Sequence, residues 1–211
     1  MMYDLTGPGR AIGAPATHTR WYILLRCTAK AAASILFALV AFFADAPPFL
    51  TVAFALCALG DVALSRPGRA AILYGFSSFF LAHFVFILLF QSLGAAPMVE
   101  VFVIAPAPAI ALLAFALSGE LWLAPYTGAL RWPIRAFIAL ITALGLTALT
   151  LPVGFTIAAS GVALFILSDL ILALRIFRIR PDHPRQNLLG RMQWIFYIAG
   201  QSSLLIGNVA L

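Results

Sequence analysis

Two carboxylates, Asp61 and Asp169, and one imidazole, His83, stand inside apolar stretches of this 211-residue chain, accompanied by Lys30, Ser168, Tyr197, Gln201 and Asn208. An ionisable side chain at the centre of a membrane span costs roughly 2.5–3.5 kcal/mol on insertion scales, so each needs a partner or a purpose. Two carboxylates at matched depth in separate spans suit paired acid–base work, in which one is held protonated as a general acid while the other stays ionised. Each of the other groups also has a plain reading. His83 alone reads as a hydrogen-bonded interior histidine, and Lys30 as a snorkelling side chain beside Arg26. Ser168 could bond its own helix backbone, and Tyr197 and Gln201 could be interhelical glue. Asp45, Glu100, Glu120 and Asp182 fall at segment ends or in loops, where interfacial solvation explains them.

The elements that must position these groups follow from composition. The chain is 64% hydrophobic and 9% charged, against about 25% charged for a soluble domain. Its apolar residues come in blocks of the length that crosses a ~30 Å hydrocarbon core as a helix. This excludes a soluble enzyme, a secreted disulfide scaffold and a disordered chain. The expected fold is all-α, a polytopic transmembrane helical bundle. An exposed arm over residues 1–20 precedes a single transmembrane domain over residues 21–211.

Seven spans are expected: Trp21–Phe43, Pro48–Leu64, Ala70–Phe90, Met98–Ser118, Trp132–Leu149, Val153–Leu174 and Gln193–Leu211. Glu120–Leu130, too short to span and containing Pro125, reads as an interfacial connector. With seven spans, all 13 Lys and Arg residues fall on one side, and the connections Ala44–Pro47, Gln91–Pro97 and Thr150–Pro152 carry none. The positive-inside rule then makes the N-terminus cytoplasmic. The net charge of +6 is therefore a topology signal, since the basic residues form no stripe for nucleic acid. Cys27 and Cys57 lack the spacing of a disulfide framework or a zinc site and read as small buried hydrophobes.

Topology supplies depth. Asp61 lies four residues before Ser65 and Asp169 six before Arg175, which puts both within roughly 6–9 Å of the cytoplasmic boundary. Tyr197 and Lys30 enter from the same side and His83 lies deeper, so the polar groups are expected to converge on one water-accessible cavity. Gly75, Phe79 and His83 share a helix ridge, as do Gly161, Phe165 and Asp169, each glycine permitting close helix approach. Trp194, Tyr197, Gln201 and Asn208 share a face of the last span.

The segments GDVAL (Gly60 to Leu64), YGFSSFFLAHFVF (Tyr74 to Phe86), SGVALFILSDLILA (Ser160 to Ala173) and YIAGQSSLLI (Tyr197 to Ile206) resemble, in order, the recurring motifs of the YhhN family, the lysoplasmalogenases. The sequence departs from that pattern at Ala31, where Lys-Pro is common, and in its seven rather than eight spans. The resemblance implies an integral membrane hydrolase that cleaves the vinyl ether bond of lysoplasmalogens. The products would be a fatty aldehyde and a glycerophosphoethanolamine or glycerophosphocholine. It also implies that Asp61 and Asp169 are the catalytic carboxylates, with Lys30, His83, Ser168, Tyr197, Gln201 and Asn208 lining the substrate site. Such a reaction requires no metal or organic cofactor, and its partners are the lysophospholipid and the surrounding membrane lipid, not nucleic acid. Abundant Ala and Arg with one Lys suit a bacterial inner membrane.

Two other classes compete. Interior Asp, His and Tyr also build the relays of proton-coupled transporters, but the sequence has no inverted repeat and no matched pair of broken helices. A retinal protein needs a lysine on its last span, and the only lysine here is Lys30, in the first.

Overall fold

The computed structural model describes residues 20–66 and 68–209, with side chains from Ala31 onward. The expected arm before Arg20 and the side chains of Cys27 and Lys30 lie outside the described residues. Eight α-helices and no strand are found among those described. They are α1 (Arg20–Phe43), α2 (Pro48–Leu64), α3 (Arg69–Ser92), α4 (Val101–Ile104), α5 (Pro106–Trp122), α6 (Arg131–Ala148), α7 (Thr156–Phe177) and α8 (Gln186–Val209).

Four of the helical segments are long and apolar enough to cross a membrane: Arg69–Ser92, Pro106–Tyr126, Gly128–Ala148 and Val153–Phe177. Ala31–Phe43 and Pro48–Leu64 are shorter apolar helices. Proline opens α2 and α5, where a missing backbone N–H leaves no helical bond unmade. A glycine at φ 108 turns the chain from α2 into α3, in the region where only glycine sits without strain.

The structure revises two of the expected spans. Met98–Ser118 is not one helix: a 3-10 turn at Met98–Glu100 and the four-residue α4 end at Ala105, with φ −142 and ψ 62, before α5 begins at Pro106. Proline forces its predecessor out of the helical region and cannot bond back to the preceding turn, so the break falls there. At its other end α5 runs on through Glu120 to Trp122, and the connector shrinks to two 3-10 turns at Ala124–Tyr126 and Gly128–Leu130.

The last span begins at Gln186 rather than Gln193. Two polar side chains of its first turns, Gln186 and Gln193, are buried. Arg175 of α7 is buried and donates from Nε to Gln186 at 3.2 Å and from Nη1 to Gln193 at 2.5 Å. Gln186 Nε2 donates in turn to the carbonyls of Arg175 and Ile179 near the end of α7.

Helix packing closes a ring in the order α1, α2, α3, α6, α7, α8 and back to α1, with α5 outside it against α6. The tightest crossing is α7 on α8. A Cβ on Gly161 would stand 2.8 Å from the Gly200 carbonyl oxygen and 2.9 Å from the Leu204 nitrogen. Gly75 is likewise closed against Leu64 of α2, so both glycine ridges read from the sequence mark close approaches.

Alanine raises helix propensity by about 1 kcal/mol over glycine, but backbone atoms cannot swing aside for its methyl group. Gly161→Ala should therefore destabilise the protein by about 1–3 kcal/mol, read as a lower thermal unfolding midpoint in detergent. Gly119→Ala is the control, because its Cβ would meet only Ile138 Cδ1 at 3.5 Å and the propensity gain should survive. Equal midpoints for the two variants would contradict the close α7–α8 crossing.

Candidate active site

The ring order separates the buried polar groups into two clusters. The first lies under α1, which stands between α2 and α8. Asp61, four residues from the end of α2 and buried, accepts two hydroxyl hydrogen bonds on the same oxygen, Oδ2. Ser34 of α1 donates at 2.7 Å and Tyr197 of α8 at 2.9 Å. The two hydroxyl oxygens are 3.1 Å apart, and Gln201 Nε2 donates to Ser34 at 3.3 Å. A carboxylate is acceptor-only when ionised, and two donors converging on one oxygen are the complement of that form.

The second cluster lies inside α6, between α3 and α7. His83 is fully buried, and its Nδ1 is 2.6 Å from the Phe79 carbonyl oxygen. A carbonyl only accepts, so Nδ1 carries a proton. His83 Nε2 lies 3.1 Å from Asp169 Oδ2, within ion-pair distance but without the alignment of a hydrogen bond. At that separation an imidazole and a carboxyl group are close enough to pass a proton between them. The ridge spacing explains the meeting: His83 and Asp169 project from matched faces of α3 and α7, each four residues along from an aromatic, Phe79 and Phe165.

Aromatic edges join the clusters. The Phe165 ring meets His83 edge-on at 4.9 Å and Tyr197 at 5.3 Å, and Phe79 meets Tyr197 at 6.0 Å. Cys57, one turn before Asp61, is buried as expected.

Asp169 also opens onto a groove lined by α3, α5, α6 and α7, with Phe76, Phe115, Trp122, Phe137, Ile138 and Ile166 among its walls. Asp169 is its one titratable lining residue, and Thr142 the one other polar side chain that reaches it besides the Trp122 indole. Among the described residues, the groove is apolar and reached by Asp169, whereas Asp61 is met by Ser34 and Tyr197.

The remaining expected residues divide. Ser168 neither lines the groove nor bonds its own helix. It donates across to the Gln193 carbonyl at 3.1 Å and so fastens α7, beside Asp169, to α8. Asn208 is buried near the other end of α8 and bonds its own backbone at Leu204, away from both clusters. Ser34 was not singled out from the sequence. Its one signal there is its position four residues after Lys30, on the same helical face.

A family model described as the YhhN family matches residues 25–208. No curated protein and no solved structure matches the chain.

Proposed function

The chain belongs to the YhhN family and is an integral membrane protein, and from this premise we propose that it is a lysoplasmalogenase-like hydrolase of the bacterial inner membrane. The observation that carries the reading is Asp169, a carboxyl group paired with a buried histidine at the wall of an otherwise apolar groove. An apolar groove suits a lipid chain, and a proton held where water is scarce suits the chemistry of its vinyl ether.

Cleavage begins with transfer of that proton to the β-carbon of the vinyl ether, which leaves an oxocarbenium ion on the α-carbon. Asp169 and His83 supply the proton. The Asp61 carboxylate, fixed by Ser34 and Tyr197 outside the groove lining, lowers the energy of the cation through its charge, and the water that captures the cation gives its proton back to the Asp169–His83 pair. The resulting hemiacetal collapses to a fatty aldehyde and the glycerophospho-alcohol, and the proton released at water capture replaces the one consumed. The net reaction adds one water and needs no redox partner. Dividing the roles this way uses each carboxyl group in the form its neighbours favour.

The test is direct. Detergent-purified protein supplied with a lysoplasmenyl ethanolamine should release fatty aldehyde, and the chain-matched 1-acyl lysolipid should remain intact. Absence of aldehyde, together with a substrate-dependent proton flux in liposomes, would favour transport over hydrolysis.

A further inference from the structure

The end of the groove nearest the arginines is closed by an apolar cluster of Ile72, Leu123, Leu130, Ile134 and Phe177. Leu130 and Phe177 pack in that one cluster, so Arg131 and Arg178, each the next residue in the chain, leave it at the same end. Together with Arg135 they outnumber the one carboxylate beside them, Glu120. Glu120 is held by Arg135 through two hydrogen bonds, at 2.7 and 2.5 Å. Arg131 stands 3.9 Å from the same carboxylate and is half exposed. The Arg178 guanidinium lies over the Tyr126 ring at 3.9 Å. Three arginines against one glutamate leave a surplus of two positive charges around the groove's end. Tyr126 and Trp132, both exposed, flank them with the amphipathic rings that settle at membrane–water interfaces.

We propose that this collar, Arg131 and Arg178 with Tyr126 beneath the Arg178 guanidinium, binds the phosphate of a single-chain lipid whose hydrocarbon chain occupies the groove. Arg178, the residue that caps the end of α7, lies nine residues beyond Asp169, about 14 Å along the helix axis. A glycerophosphate and an arginine side chain end to end cover that distance, so a phosphate at the collar brings the ether oxygen to the level of Asp169. Guanidinium groups suit the anion because their planar donors pair with two phosphate oxygens at once. The proposal rests on the lipid reading of the groove, and its test does not depend on cleavage.

Binding is measured to detergent-solubilised protein with a 1-O-alkyl lysophosphocholine, whose saturated ether carries no vinyl bond. The chain-matched 1-O-alkylglycerol and soluble glycerophosphocholine are the comparison ligands. In Arg131→Gln/Arg178→Gln the lysolipid should bind at least about tenfold more weakly, since charge-assisted hydrogen bonds to the phosphate are lost. The alkylglycerol should bind that variant as it binds the wild type, which also reports that the groove is folded. Lysine at both positions should restore part of the affinity by charge alone, and added salt should reduce it. Unchanged lysolipid affinity or an equal loss for both chains would overturn the collar, and glycerophosphocholine binding as tightly as the lipid would overturn its assignment to a lipid headgroup. An inactive protein with intact phosphate discrimination would count against the hydrolase reading and leave the collar standing.

Discussion

Asp169→Asn is expected to lower kcat for vinyl ether cleavage by about 10²–10⁴-fold, the range for loss of a positioned general acid, with little change in KM. The substitution keeps the shape of the side chain beside His83, 3.1 Å away, and leaves the apolar walls that would hold the chain untouched. It removes the one carboxyl group on the groove wall able to pass a proton to carbon. Some stability is lost with one member of a buried pair. The thermal midpoint of the purified variant separates loss of chemistry from loss of fold. Aldehyde release at the wild-type rate from a normally folded Asp169→Asn protein would end the assignment of Asp169 as the acid.

The carboxylates, the glycine ridges and the helical segments are legible in the sequence because each has a local signature. Apolar runs of spanning length, proline at helix starts and glycine four residues before an aromatic require nothing but one stretch of chain. What the sequence conceals is lateral position. Depth can be counted from the arginine-rich connections, and it places Asp61 and Asp169 alike, but the ring order puts α1 beside Asp61 and α6 beside Asp169. Ser34 reaches Asp61 because α1 lies between α2 and α8, a fact of packing that no periodicity in α1 encodes.

The start of α8 fails for a related reason. Gln186 looks like a loop residue until Arg175 is found buried against it. The break before Pro106 was written in the sequence, in two prolines at alternate positions, but apolarity alone ran the span through it.

Asp61→Asn should also lower turnover by about 10²–10⁴-fold, and the fate of the substrate distinguishes it from Asp169→Asn. With Asp169 and His83 intact, the proton still reaches the β-carbon. Without the carboxylate that Ser34 and Tyr197 hold at 2.7 and 2.9 Å, capture of the cation by water slows, and the cation returns its proton. In deuterated water each such return can leave deuterium on the β-carbon, so lysolipid recovered from Asp61→Asn should be labelled there, whereas lysolipid recovered from Asp169→Asn should not. Removing the donors tests the same step by another route. Ser34→Ala and Tyr197→Phe each delete one hydrogen bond to a charged group, worth about 1.5–3 kcal/mol, and should each cost roughly tenfold or more in kcat. The double variant should approach Asp61→Asn and show the same labelling, because the carboxylate is then present but no longer held. Labelling in Asp169→Asn and its absence in Asp61→Asn would exchange the two roles, and full activity of Asp61→Asn would leave the Ser34–Asp61–Tyr197 cluster a structural tie between α1, α2 and α8.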